Sequence, residues 1–275
     1  MMRPRLRKRL RVKPIRGLSF NKMIPNILTL LALCAGMTAI RFALEEHYRQ
    51  AVVAIIVAGI FDGIDGRIAR LLKGTSEFGA ELDSLSDFVS FGVAPALLMY
   101  LWSVQSLSSL GWIVALLFAI CCGLRLARFN TQIGADLPPY AYNFFTGVPA
   151  PAGAGLAIIP MLLNFEFGWS GFRSGWFGAV VLAAVGALMV SRVPTFSMKR
   201  FHVPREWVLA MLLIIAGLAA LATTEPWAML LLIGVIYIGS IPFSIRAFNK
   251  LRRAAHEMRA ANRGELIELE HPHSG

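Results

Sequence analysis

Four aspartates stand close together in a chain that otherwise avoids charge. Asp62, Asp65, Asp83 and Asp87 fall within 26 residues of a 275-residue sequence that is 56% hydrophobic and 16% charged. The stretch reads Asp62-Gly-Ile-Asp65-Gly66-Arg-Ile-Ala69-Arg70, then Ser76-Glu-Phe-Gly79-Ala-Glu-Leu-Asp83-Ser-Leu-Ser-Asp87. On a helix, Asp62, Asp65, Gly66, Ala69 and Arg70 share one face, and Asp83 and Asp87 share another. A short connection makes the two helices antiparallel neighbours, so the four carboxylates converge. Converging carboxylates in a low-dielectric setting repel strongly. Two divalent cations would cancel the four charges, and hard oxygen ligands suit Mg²⁺ or Mn²⁺. Such a pair clamps a phosphoryl group for in-line displacement. Gly66 and Gly79 leave room for a nucleotide between the helices, and Ala69 permits close helix approach. Arg70 can donate a bidentate fork to a phosphate, and Ser76 can bond a phosphate or a base edge.

Duller accounts exist for each residue alone. A single intramembrane aspartate usually pairs helices or lines an ion path, a single glycine usually packs, and Glu81 reads as solvated. The joint pattern D-x2-D-G-x2-A-R-x8-G-x3-D-x3-D is another matter. At ordinary residue frequencies its eight fixed positions recur by chance roughly once in 10¹⁰ starting points. An ion or proton transporter remains the rival from a different class, but a transport path would spread its carboxylates through the membrane.

The elements that must position these residues are membrane helices. A span needs about 20 mostly apolar residues. Such stretches recur at Ile24–Leu44, Ala51–Arg70, Asp83–Trp102, Leu110–Leu126, Gly147–Leu163, Trp176–Val190, Glu206–Ala222 and Pro226–Ile245. The expectation is an all-α polytopic membrane protein of about eight transmembrane helices. Of the 27 Lys and Arg residues, only Arg41, Arg49 and Arg173 then fall outside. The positive-inside rule therefore puts both termini and the aspartate cluster at the cytoplasmic face, in a plasma or inner membrane. The chain divides into a basic N-terminal segment (1–23), a catalytic membrane domain (24–245) and a cytoplasmic tail (246–275). The tail begins with helical pattern and ends polar, at His271 and His273.

The net charge of +11 is concentrated at the N-terminus. Beside a membrane span such a run contacts anionic lipid headgroups, at about 1 kcal/mol per basic residue near the surface, and nucleic acid is not expected. The first apolar run is too long for a cleavable signal peptide and has no small-residue cleavage site. Cys34, Cys121 and Cys122 lie inside spans and read as small apolar filler.

The pattern Asp62, Asp65, Gly66, Ala69, Arg70, Gly79, Asp83 and Asp87 resembles the signature of the CDP-alcohol phosphatidyltransferases at every position. The resemblance implies transfer from a CDP-alcohol to a second alcohol with release of CMP, with two metal ions. It implies that Asp62, Asp65, Asp83 and Asp87 ligate metal, that Gly66, Arg70 and Ser76 contact the CDP part, with Gly79 beside it, and that Asp87 is the general base. Two further stretches resemble the serine-accepting branch of the family: Gly123-Leu-Arg125-Leu-Ala-Arg128-Phe-Asn130 and Phe145-Thr-Gly147-Val-Pro149-Ala-Pro151. Arg125 or Arg128, with Asn130 following, can pair with a serine carboxylate. Both arginines are equally what a cytoplasmic boundary looks like in any membrane protein. Pro149 and Pro151 are expected to interrupt regular helix and free backbone groups for a polar cavity.

The expected partners are therefore CDP-diacylglycerol and L-serine, in a protein for which a homodimer is open. The same chemistry with glycerol 3-phosphate, an inositol species or choline is the alternative. A phosphorylated acceptor would call for more basic residues, and choline for an aromatic cage. Covalent histidine catalysis of the His-x-Lys kind is excluded, because no His here is followed by x-Lys.

Overall fold

The computed structural model describes residues 20–72, 76–132, 144–196 and 208–270. The basic run ahead of position 20, Lys73, Lys199, Arg200, Arg205 and the two terminal histidines lie outside the described residues. What is described is almost wholly helical. Helix α1 (Phe20–Leu44) turns through Glu45–His47 into α2 (Tyr48–Leu71). A short connection leads to α3 (Glu77–Asp87), which runs through a π-helical turn (Phe88–Val93) into α4 (Ala94–Trp102). Then follow α5 (Ser109–Gln132), β1 (Phe144–Thr146), α6 (Ala150–Ala157), α7 (Ile159–Phe167), α8 (Gly175–Val190), β2 (Pro194–Phe196), α9 (Val208–Thr224) and α10 (Pro226–Glu270).

Within the described residues, each of the eight expected stretches falls mostly on helix, yet fewer qualify as spans by length and composition. Four helical stretches do: Met23–Leu44, Glu77–Trp102, Ser109–Thr131 and Pro226–Ala254. The α6–α7 pair, bent by 42°, makes a fifth as a broken span. Helix α2 carries too many ionisable groups at its far end, and the apolar parts of α8 and α9 are short. Large apolar side chains stand exposed along the helices, with Leu30, Leu31, Leu116, Leu117, Ile120 and Leu124 on α1 and α5. Apolar surface so extensive belongs against lipid. Helix α10, at 45 residues, is about 68 Å long, more than twice the hydrocarbon thickness of a bilayer.

Packing around α1 fixes the geometry near the aspartates. Helix α2 lies along α1, while the α3–π–α4 rod packs on α1 from another side. Two serines stitch that rod to α1. Ser86 Oγ donates to the Thr29 carbonyl at 3.1 Å and Ser90 Oγ to the Ala32 carbonyl at 3.2 Å. The approach at Ser90 is so close that any side chain at Gly36 would overlap it. The π turn has a local cause in Pro95, which has no N–H to continue the α-helical ladder. The Ala94 N–H instead reaches back five residues to the Val89 carbonyl. The extra residue sits directly after Asp87, and π turns recur at functional sites. Phe91, Leu98, Met99, Phe118, Met161, Leu182 and Met189 form the buried centre of the bundle.

The proline-rich stretch behaves differently from expectation. Pro149 caps α6 and Pro151 stands in its first turn, where a missing N–H costs nothing. The helix break falls later, at Ile158, ahead of Pro160. Strands β1 and β2 pair antiparallel, with Phe145 opposite Thr195. Gly147, at φ +80°, donates its N–H to the Val193 carbonyl at 2.8 Å and meets the end of α8. A Cβ there would collide with the Met189 carbonyl. Gly147→Ala should therefore destabilise the fold by about 2 kcal/mol, lowering the melting temperature in detergent by about 4–8 °C. Gly155→Ala, whose Cβ meets nothing within 4 Å, should leave it unchanged or raise it. Equal melting curves for the two variants would contradict this placement.

Candidate active site

The far end of α2 and the body of α3 bring the acidic residues together. One carboxylate oxygen from each of Asp62, Asp83 and Asp87 lies within 4.8 Å of the others. Asp62 and Asp87 approach within hydrogen-bonding range of each other. Helix spacing explains the convergence: Asp83 and Asp87 are one turn apart on α3, and Asp62 faces them from α2.

Asp65 belongs to the same end but has a partner of its own. Its Oδ2 accepts from the Thr29 hydroxyl at 2.7 Å, and the side chain is buried. Thr29 Oγ1 also lies 3.1 Å from the Pro25 carbonyl, and its one hydrogen favours the shorter, charge-assisted bond. Among the described residues, three of the four expected ligands thus form a compact group and the fourth is held beside it by α1. Three carboxylates so close together suit a hard divalent cation, which relieves their mutual repulsion.

A cavity of about 400 Å³ opens next to the carboxylates. Asp65, Gly66, Arg70, Ser76, Gly79 and Asp83 are among its walls. A side chain at Gly66 would project straight into this space, with nothing within 4 Å. Gly79 has another reason to be glycine: a Cβ there would stand 2.9 Å from Asn26 Oδ1 and 3.0 Å from Ser76 Oγ. The missing side chain lets α3 close on α1 at this wall of the cavity. Arg70 donates Nε to the Gly66 carbonyl at 2.9 Å, which anchors the guanidinium at the cavity and leaves its outer nitrogens for a phosphate. Ser76 caps α3, accepting from the Gly79 N–H at 3.0 Å. Its own hydroxyl hydrogen stays available to a ligand.

The three acceptor candidates separate. Arg125, on α5, stands where its charge acts on Asp87 and Asp62, with its guanidinium 5.6 Å from the Phe129 ring centre. Arg128 points elsewhere. Its Nη1 donates to the Val190 carbonyl at 2.6 Å and so closes the last turn of α8. Asn130 donates Nδ2 to Ser84 Oγ at 2.8 Å, tying α5 to α3 beside Asp83.

Three further residues come to this end without any signal in the motif. Asn26 and Thr29 reach the cavity from α1. Tyr237, from α10, is near enough to Arg125 to feel its charge. Its hydroxyl is buried beside that of Thr195, which donates to the Gly147 carbonyl at 3.0 Å and keeps its lone pairs to accept. Polar residues within apolar spans are the sequence signal available for all three.

Comparison with known proteins bears on the same residues. The model of the CDP-alcohol phosphatidyltransferase family matches residues 22–193, and one described as CDP-alcohol phosphatidyltransferase 2 matches 206–242. A CDP-diacylglycerol–serine O-phosphatidyltransferase from Mycobacterium tuberculosis is 43% identical over 227 residues, covering 82% of this chain and 79% of that protein. One from Helicobacter pylori is 34% identical over 206 residues, covering 74% and 83%. An archaetidylserine synthase from Methanothermobacter thermautotrophicus is 33% identical over 172 residues, covering 62% and 68%.

The carboxylate group generates a direct test. Mg²⁺ or Mn²⁺ at 100 times its dissociation constant should stabilise the purified protein by about 2.7 kcal/mol, read as a rise in melting temperature. Asp83→Asn should remove most of that rise. A wild-type protein whose melting ignores both ions would contradict the reading of the cluster as a metal centre.

Proposed function

We infer the function from one premise: the chain belongs to the CDP-alcohol phosphatidyltransferase family. The reaction is transfer of the phosphatidyl group of CDP-diacylglycerol to the hydroxyl of L-serine, giving phosphatidylserine and CMP. The observation that carries it is the meeting of Asp62, Asp83 and Asp87 beside a cavity walled by Gly66, Arg70 and Ser76.

The donor's cytidine and diphosphate occupy that cavity, with Gly66 as the open wall and Arg70 and Ser76 as phosphate donors. Asp62, Asp65, Asp83 and Asp87 hold two divalent ions, Mg²⁺ or Mn²⁺. When bound, these ions supply Lewis-acid stabilisation of the phosphates and of the leaving CMP. Asp87 takes the proton of the serine hydroxyl as that oxygen attacks the phosphorus carrying diacylglycerol. Asp65, braced by Thr29, keeps a fixed orientation, and the preorganised carboxylates need no rearrangement as charge develops.

Serine is favoured among acceptors on two grounds. The relatives are named for serine-linked lipids although the lipids differ, phosphatidyl in two and archaetidyl in one. Arg125, on the Asp87 side of the cluster, offers a charge-assisted partner for the serine carboxylate, with the Tyr237 hydroxyl nearby. The distribution of basic residues favours a cytoplasmic side for both termini and for the reacting end of the bundle.

The decisive assay follows CMP release from CDP-diacylglycerol with serine, glycerol 3-phosphate, inositol or choline. Release should depend on serine and on divalent metal, and metal-dependent release with serine ineffective would remove the serine assignment alone. Asp87→Asn should lower kcat by about 10²–10⁴-fold. Arg125→Gln should raise the KM for serine at least about tenfold, the scale of a lost hydrogen bond to a charged group. Arg128→Gln should instead lower the melting temperature with the serine KM unchanged. The opposite pattern for the two arginines would exchange their roles.

A further inference from the structure

At the end of the bundle opposite the aspartates, Arg49 stands at the start of α2. Arg49 and Asp62 are 13 positions apart on α2, which puts them about 20 Å apart along the helix. The Arg49 guanidinium carbon lies 5.4 Å from the Phe165 ring centre and 6.0 Å from that of Trp227. Two aromatic rings, from α7 and α10, therefore hold the cation in place by cation–π attraction. Its N–H groups are left over. Among the described residues no carbonyl accepts from Arg49, and the nearby-numbered Glu45 and Glu46, with Glu166 and Glu225, make no ion pair with it. A guanidinium fixed in position with its donors unspent suits an oxyanion.

Arg49 lies at one end of a groove of about 420 Å³ between α1, α2 and α10. Ala35, Phe42, Val53 and Val57 line the groove with carbon, Trp227 closes its side, and Gln50 adds an amide beside the arginine. Arg49 to Val57 spans eight residues, so the apolar part runs about 12 Å along α2 towards the middle of the bundle. A fixed cation heading a carbon-lined channel on the lipid-facing surface matches one kind of molecule: an anionic group joined to a long alkyl chain.

We propose that Arg49 and the α1–α2–α10 groove bind a membrane phospholipid, with its phosphate on Arg49 and Gln50 and part of one acyl chain between Val53, Val57 and Phe42. This site is separate from the reaction centre and independent of which alcohol the enzyme accepts. Its occupant lies against α10 and the α1–α2 pair together.

Native mass spectrometry of delipidated protein in detergent, titrated with phosphatidylglycerol, tests the proposal. The wild-type chain should retain one tightly bound lipid. Arg49→Gln should weaken that binding at least tenfold, and Val53→Trp, which fills the channel, should do the same. Asp87→Asn should not change it, which separates this lipid from one in the reaction centre. sn-Glycerol 3-phosphate and diacylglycerol, each holding one half of the recognised chemistry, should bind far more weakly. CMP-releasing activity of Arg49→Gln should stay within about twofold of wild type at saturating substrate. Equal lipid retention by wild type, Arg49→Gln and Val53→Trp would overturn the proposal, as would equally tight binding of either half-ligand.

Discussion

Crowding of like charges in a poorly polarisable medium governs this molecule. One oxygen from each of Asp62, Asp83 and Asp87 lies within 4.8 Å of the others, at one end of a mostly apolar bundle. Water cannot screen such a group fully, so protons or cations must neutralise it. Everything close to it is arranged to hold the three carboxylates in place against their repulsion. Ser86 and Ser90 pin α3 and the π turn to α1, Thr29 fixes Asp65, and Asn130 ties α5 to Ser84, next to Asp83. A centre built this way has little tendency to spread when empty and gains most when cations arrive.

The same constraint explains the division of labour around the centre. One side, walled by Gly66, Arg70 and Ser76, is open and carries donors for phosphate. Another side presents Arg125, whose charge acts on Asp87 and Asp62. A donor with a diphosphate and an acceptor with a carboxylate can thus approach from different directions, with Asp87 between them. Arg128, only three residues from Arg125, serves the fold instead by closing the end of α8.

How far the sequence made this legible depends on sequence distance. The aspartates, Gly66 and Arg70 lie within one helix–turn–helix unit, so helical spacing alone predicts that they meet. Gly79 was visible as a required glycine, but its reason, the close approach of Asn26, was not. Thr29 sits 36 residues from Asp65 and Asn26 sits 53 from Gly79, and a polar residue in an apolar helix does not say what it faces. Arg125 and Arg128 stand about 60° apart on one helix face, too close for periodicity to separate. What separates them is the position of α8, a tertiary fact. Pro149 and Pro151 were readable as helix punctuation, yet start and interruption look alike until the chain on either side is placed. The π turn had a visible signal in Pro95, whose missing N–H forces a change of register after Asp87.

Helix count shows a related difficulty. Hydropathy finds eight apolar stretches, whereas length and charge admit four single spans and one bent pair. Helix α2 fails because it carries the aspartates and arginines of the site, so the residues that make it functional also disguise it. The central claim, direct transfer between the two substrates at the aspartate centre, is tested most sharply by isotope tracing. L-Serine labelled with ¹⁸O in its hydroxyl is supplied with CDP-diacylglycerol and metal, and the products are weighed by mass spectrometry. Attack by the serine oxygen on the phosphorus bearing diacylglycerol predicts the label wholly in phosphatidylserine and none in CMP. Label in CMP, or a lipid product that lacks it, would contradict the account.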